Sequence, residues 1–212
     1  MKIGILGTGS MGMNLGRVWA EHGNEIFFGS RDPIRAKSIE DVVGNNAMGG
    51  TYQEAVEFSD VLVLAVPWSA AQESIEEVGN LEGKILIDCT NAVAPKLGGL
   101  LIGHTISAAE KIAEWAKGAK VIKAFNTLGA ENLIEETFKE QKASTFICGD
   151  DLQAKSIVKD LGIQLGFDVI DVGPLKNARL IEPLAMLWIE LAYKQGFGTC
   201  IAFKLLRRRV VK

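Results

Sequence analysis

A chain of 212 residues that is 48% hydrophobic and 23% charged has enough apolar content for one full globular core, as one large domain or one domain with a small appendage. Its net charge of −3 gives no general attraction to nucleic acid or to a membrane surface. The three cysteines, Cys89, Cys148 and Cys200, are too far apart to suggest a metal site or a disulfide framework, and each lies in an apolar stretch, so buried reduced thiols are expected.

No apolar run approaches the roughly 18 residues that a spanning helix takes. With no charged leader segment before the first apolar run, a cytoplasmic location is expected. The Arg207–Arg209 cluster reads as a solvated helix end.

The first twelve residues organise the rest. Ile3, Ile5 and Leu6 form an apolar run, the string Gly7, Thr8, Gly9, Ser10, Met11, Gly12 follows, and helical spacing runs from Asn14 to Glu21. In a strand, G-x-G-x-x-G, helix unit, Gly7 allows the sharp turn, Gly9 lets backbone approach a pyrophosphate, and Gly12 lets the helix pack close to the strand. The phosphates then meet the unpaired N–H groups of the helix N-terminus.

Gly23 reads as the end of that helix, with His22 in its last turn, and Glu25–Gly29 as the second strand. An NAD-binding fold usually places an acid near this strand's end to hold the ribose 2′-hydroxyl. Here Ser30 and Arg31 stand there, with Arg35 and Lys37 beyond. A hydroxyl and guanidinium groups suit a 2′-phosphate, so NADP(H) is expected rather than NAD. Asp32, just before Pro33, reads as a helix N-cap.

Residues 44–50 read as a loop, 52–58 as a short helix and 60–66 as a strand buried on both faces, ending at Val66 and Pro67. Trp68 suits either a wall of the cleft or packing under the next helix. Residues 69–78 are helical in pattern, and 84–88 form a strand that ends at Cys89, Thr90 and Asn91. Residues 95–103 read as a mobile rim loop, with His104 beside it. Further on come a helix over 105–115, capped by Ser107 or Thr105, a strand over 120–123, a strand over 144–148, a helix over 152–161 capped by Asp150 or Asp151, and a last strand over 167–172. From Pro174 the apolar spacing is helical (Leu180, Ile181, Leu184, Trp188, Leu191); Gly196 and Gly198 interrupt it, and Phe197, Ile201, Phe203, Leu205 and Leu206 continue the apolar content of a long, largely helical tail. Such an apolar tail needs a partner surface.

The stretches GTGSMG, GSRDP, VLAVPW, VIKAFNT, CGDD and DVGPLKNARLIEPL together resemble the NADPH-dependent reductases of coenzyme F-420, an 8-hydroxy-5-deazaflavin, over essentially the whole chain. VIKAFNT also resembles the cytoplasmic NADPH-binding domain of membrane metalloreductases. The resemblance implies an α/β fold, a Rossmann-type doubly wound, mainly parallel sheet, with a small C-terminal part ending in a long helix. It divides the chain into a dinucleotide domain over 1–142 and a C-terminal portion over 143–212. It implies a homodimer, and hydride transfer between NADPH and a deazaflavin stacked in one cleft, with FMN or FAD as related acceptors.

By the same resemblance, Thr8, Gly9, Ser10 and Met11 match the phosphate turn, Ser30, Arg31 and Arg35 the 2′-phosphate clamp, Val66 and Pro67 the nicotinamide side, and Asn126 and Leu128 the acceptor ring; Asn91 is placed at the cleft by its position after a strand. The archaeal reductases carry a histidine where Asn126 stands, and residues 91–105 also depart from them. Transfer between two ring cofactors needs no protein nucleophile, which agrees with the lack of an evident catalytic histidine or lysine. Two alternatives use the same N-terminal unit. One is reduction of a small imine, carbonyl compound or metal chelate, which requires a proton donor such as Lys176 or Lys194; the other is a non-catalytic NADP(H) sensor.

Overall fold

The computed structural model describes residues 1–44, 46–133, 138 and 141–208. Arg209 therefore lies outside the described residues. Eight strands form one sheet: β1 (Lys2–Leu6), β2 (Glu25–Gly29), β3 (Ala47–Gly50), β4 (Val61–Leu64), β5 (Ile85–Asp88), β6 (Lys120–Lys123), β7 (Ser144–Gly149) and β8 (Asp168–Asp171). Their order is β3-β2-β1-β4-β5-β6-β7-β8. Every neighbouring pair is parallel except β6 and β7. The order reverses between β1 and β4, where open α/β sheets place their ligands.

Seven α-helices are described: α1 (Ser10–Glu21), α2 (Pro33–Val43), α3 (Tyr52–Phe58), α4 (Trp68–Val78), α5 (Ala108–Trp115), α6 (Leu152–Gln164) and α7 (Ala178–Ile189). Local chemistry sets where they start. Asp32 accepts from the Ile34 and Arg35 amides, with Pro33 in the first turn. Thr51 with Glu54, and Ser107 with Glu110, form reciprocal capping boxes. Of the two candidate carboxylates before α6, Asp151 is the cap, while Asp150 accepts from the Leu175 amide.

Alternation along the strands feeds two cores. Ile3, Ile5, Val63, Ile87 and Ile122 share one with Leu15, Trp19, Val158 and Leu161 of α1 and α6. Leu6, Leu62, Leu64, Leu86 and Val121 share the other with Ala55, Ile75, Ile112 and Ile181. The two faces make this a three-layer α/β sandwich. No helix of the described residues is long and apolar enough to cross a membrane.

Three expectations are corrected. Residues 44–50 are not all loop: Ala47–Gly50 pairs with β2 as the sheet's edge strand. Its AMGG sequence carries little strand propensity, but a Cβ on Gly49 would lie 2.3 Å from the Ala36 carbonyl oxygen, so close packing of α2 requires glycine there. The helical spacing beyond Lys194 is not a helix. α7 continues only through a wider π turn, Glu190–Lys194, and Gly196 and Gly198 then take φ of 79° and 74°.

The segment after them forms no helix. Its Phe203 carbonyl accepts from the Ser144 amide at 2.8 Å, and its Leu205 amide donates to Ser144 Oγ at 3.1 Å. Lastly, Cys200 on this segment is exposed, whereas Cys89 and Cys148 are buried as expected. Burial pushes the Cys148 thiol up to about 12, and that of Cys89 higher still, so both are inert thiols.

Candidate functional site

The parallel register brings the carboxyl ends of five strands to one edge. Leu6 pairs with Gly29 and Leu64, Leu64 with Asp88, and Asp88 with Lys123. The turns after these strands hold most of the residues singled out from the sequence.

At the β1–α1 turn each glycine has its own geometric reason. Gly7 has φ of 125°, and a Cβ there would meet the Ala65 carbonyl oxygen at 2.4 Å and Val66 Cγ1 at 3.2 Å. A Cβ on Gly12 would sit 2.6 Å from the Gly7 carbonyl oxygen, so the helix rests directly on the turn. Gly9 is exposed, and a Cβ on it would meet no protein atom within 4 Å. The space over Gly9 is left open to an incoming group. α1 has Gly9 as N-cap, with no side-chain cap and no acid in its first turn. Its leading amides and dipole are thus available to an anion, and the turn fits a pyrophosphate.

Ser30, Arg31 and Arg35 gather beside this turn. Arg35 Nη2 donates to the Thr8 carbonyl at 3.4 Å, and Ser30 Oγ accepts from the Asp32 amide at 3.1 Å. Asp32 Oδ1 caps α2, accepting from the Ile34 and Arg35 amides. Arg31 Nη1 lies 3.0 Å from Glu73 Oε2 on α4, with both side chains largely exposed. Val66 is buried against Gly7, and Pro67 is the exposed residue that starts α4.

The other half of the site lies after β5 and β6. Asn126 Nδ2 donates to Asn91 Oδ1 at 3.0 Å, and Asn91 Nδ2 donates to the Asn126 carbonyl at 2.9 Å. The two asparagines, 35 residues apart, therefore clamp the two turns together. Asn126 is 4% exposed, and its Oδ1 has no partner among the described residues; neither has the neighbouring Thr127 Oγ1. Buried polar atoms are rarely left unpaired. Phe125 precedes them with φ of 59°, fully buried and edge-on to Trp19 at 6.0 Å. A left-handed aromatic residue costs about 1–3 kcal/mol, a strain of the kind that gathers at functional turns. Leu128 is buried in the core cluster that contains Leu15 and Leu133.

A family model described as "NADP oxidoreductase coenzyme F420-dependent" matches residues 2–92. The F420-dependent NADP reductase of Methanothermobacter marburgensis is 34% identical over 210 residues, covering 92% of this chain and 93% of its own. The chain belongs to the F420-dependent NADP reductase family. It is an NADP-dependent oxidoreductase that binds NADP(H), and F420 is the coenzyme of its family. Metalloreductase STEAP3 of Rattus norvegicus is 31% identical over 188 residues, which are 88% of this chain but 37% of that one. A solved structure from Arthrobacter sp. FB24, provisionally assigned as an F420-dependent NADP reductase, superposes with a TM-score of 0.89 at 30% identity, covering 98% of this chain and all of that one. An imine reductase from Aspergillus terreus in complex with NADPH4 shares the fold alone, with a TM-score of 0.67 at 19% identity over 92% of this chain and 63% of its own.

Other sequence candidates have other surroundings. His104 is exposed in its loop with φ of 65°. Trp68, half-buried next to Pro67, packs on Trp115 of α5, ring centroids 5.3 Å apart. Lys176 is exposed beside Leu175, whose amide bonds to Asp150 after β7. Because β7 runs antiparallel, that is the opposite edge of the sheet from Asn126. Lys194 pairs with Glu190. The 95–103 loop is organised by its own backbone, with Ala94 donating to Gly99 at 2.8 Å and Leu101 to Ala92 at 2.7 Å. A groove of about 900 Å³ beside β8 holds none of the predicted site residues.

Sequence reading missed four contributors. Asn14 Nδ2 donates to the Ala130 carbonyl at 2.9 Å and ties the turn after β6 to α1. Asp88, Lys123 and Glu182 form a fully buried charged cluster next to Thr90. Burial alone would push the Lys123 ammonium down; attraction to Asp88 and Glu182, with their hydrogen bonds, outweighs it and holds the group above the ordinary lysine range. No spacing rule could join residues so far apart in sequence. The signal was an acid and a lysine at the ends of two neighbouring strands.

Proposed function

We propose that this enzyme transfers hydride between NADPH and a ring-type acceptor, a deazaflavin or a flavin, bound against the Asn91–Asn126 pair. The observation that carries this reading is the buried, unpartnered Asn126 Oδ1 at the strand ends, in a turn held by reciprocal asparagine bonds and backbone strain. A carbonyl oxygen in that position accepts an N–H of the kind found on the pyrimidine edge of such rings.

NADPH, when bound, supplies the hydride. The chain's own residues bind and orient. Gly7, Thr8, Gly9, Ser10, Met11 and Gly12 cradle the pyrophosphate on the start of α1. Ser30, Arg31 and Arg35 grip the 2′-phosphate, Val66 and Pro67 back the nicotinamide, and Asn91, Asn126 and the Leu128 backbone border the acceptor. The ionisable side chains that end β5 and β6, Asp88 and Lys123, are fully buried and bonded to each other, so neither is offered as a proton donor. This favours ring-to-ring transfer over reduction of an imine, as do the placement of Lys176 and the pairing of Lys194 with Glu190.

The exposed apolar side chains Leu180, Leu187, Tyr193 and Phe197, on α7 and just after it, support a homodimer. Light scattering showing a monomer at working concentration would refute that part. The functional reading is tested by Asn126→Ala, which should weaken acceptor binding by about 3- to 10-fold, the loss of one neutral hydrogen bond. NADPH binding should change little. An unchanged acceptor affinity would remove Asn126 from the site.

A further inference from the structure

We propose that the Asp88–Lys123–Glu182 cluster is a positioning device, with Lys123 the residue that fixes the Asn91–Asn126 pair from beneath; this rests on the reading that the pair faces the acceptor. Lys123 lies directly across from Asp88 in the β5–β6 register. Its ammonium donates to Asp88 Oδ2 at 2.9 Å, donates to the Thr90 carbonyl at 2.6 Å, and forms an ion pair with Glu182 Oε1 at 3.2 Å. The middle bond grips the backbone one residue before Asn91. Asp88 Oδ1 holds the same residue from its other side, accepting from the Thr90 amide and hydroxyl, each at 2.8 Å.

Two buried carboxylates around one ammonium leave a net negative charge, which is costly in an apolar interior. The start of α5 offsets it. Glu182 Oε2 and Oε1 accept from the amides of Ala108 and Ala109, at 2.8 and 3.0 Å. The positive end of that helix is thus the second cationic partner. One chain of charged bonds runs from α7, through α5 and β6, to the turn that carries Asn91. Asp88, Lys123 and Glu182 are all 0% exposed, so the cluster meets no ligand directly and acts through Thr90 and Asn91. The dinucleotide turn after β1 shares none of these bonds. Loss of the cluster should therefore separate the two halves of the site.

The test uses the whole chain with Asp88→Asn, Lys123→Met and Glu182→Gln combined, which removes all three charges with little change in volume. Glu182→Gln alone, which leaves a matched Asp88–Lys123 pair, serves if the triple variant does not fold. Amide hydrogen exchange is read on peptides covering 89–94, 107–110 and 124–128, and compared with 5–15 around the phosphate turn. NADPH affinity, and FMN or deazaflavin affinity in the presence of NADP+, are measured by fluorescence titration.

We expect protection to fall by 10-fold or more in the first three peptides, with 5–15 unchanged. NADPH affinity should stay within 2- to 3-fold, while ring affinity drops about 10-fold. The single variant should show the same pattern at smaller size. Unchanged exchange at 89–94, unchanged ring affinity despite lost protection, or a parallel loss of NADPH affinity would each overturn the proposal, the last by showing a general scaffold role. A wild-type enzyme that binds neither ring defeats the acceptor reading alone; the exchange pattern still decides whether the tie exists.

Discussion

Arg31 offers a test in which two substitutions push the same affinity in opposite directions. In the free protein its guanidinium pairs with Glu73 at 3.0 Å, with the side chains 57% and 70% exposed. An exposed pair of this kind contributes about 0–1 kcal/mol. A bond from Arg31 to a 2′-phosphate is charge-assisted and contributes about 1.5–3 kcal/mol. If NADPH draws Arg31 away from Glu73, the net gain is the difference, about 0.5–3 kcal/mol. Arg31→Ala should therefore weaken NADPH by about 2- to 150-fold. Glu73→Gln removes the competitor and a negative charge near the phosphate, so NADPH should bind up to about 5-fold more tightly. NADH lacks the phosphate and should respond to neither change. Fluorescence titration of both nucleotides against the wild type and the two variants is the assay. Equal losses for NADPH and NADH in Arg31→Ala would show that Arg31 serves the fold or the shared part of the cofactor. Weaker NADPH binding in Glu73→Gln would show that the ion pair organises the site rather than competing with the ligand.

Other consequences follow from the same geometry. Gly12→Ala puts a Cβ 2.6 Å from the Gly7 carbonyl oxygen, so α1 must move off β1; a loss of about 1–3 kcal/mol is expected, with NADPH affinity falling alongside thermal stability. Melting and binding both at wild-type level would show that the contact is not tight. Glu110 is gripped bidentately by Arg179 at 2.8 and 2.7 Å, which, against burial and with help from Ser107, lowers its carboxyl to about 2. A lowered carboxylate contributes stability above its unfolded value of 4.5 and loses it as pH falls toward about 2. Glu110→Gln should abolish that part of the acid sensitivity, by about 1–3 kcal/mol once partial exposure is discounted, in denaturation midpoints followed across this range. Truncation after Gly198 removes the carbonyls that accept from Trp188 Nε1 at 2.8 Å and from Asn132 Nδ2 at 2.9 and 3.2 Å. A red-shifted tryptophan emission and a loss of a few kcal/mol are expected; an unchanged urea midpoint would mean that the tail is an ornament on an independent fold.

What could be read from the sequence was whatever depends on local chemistry. The β1–α1 turn was legible because its glycines stand at fixed spacing: Gly7 and Gly12 answer close backbone contacts, and Gly9 leaves open space over the turn. The caps Asp32, Ser107 and Asp151 were legible for the same reason: each bonds to an amide two or three residues away. Strand β3 was not, because its pairing is set by β2 and by close packing of α2, neither of which shows in AMGG. The C-terminal tail misled because its apolar content continues past the end of α7, while Gly196 and Gly198, both with positive φ, end the helix. The acceptor half was partly legible. Asn126 stood out after a strand, but its partner Asn91 and the charged cluster beneath them are assembled only when β5, β6 and α7 meet.

The central claim is that the second substrate is a ring that accepts hydride against the Asn91–Asn126 pair. The most direct measurement offers purified enzyme and NADPH a deazaflavin, FMN, FAD and ferric chelates in separate reactions, following loss of reduced-nicotinamide absorbance. The account predicts turnover with a deazaflavin or flavin, and a clear loss of that turnover in Asn126→Ala. Turnover with ferric chelates while every ring acceptor stays untouched would contradict it.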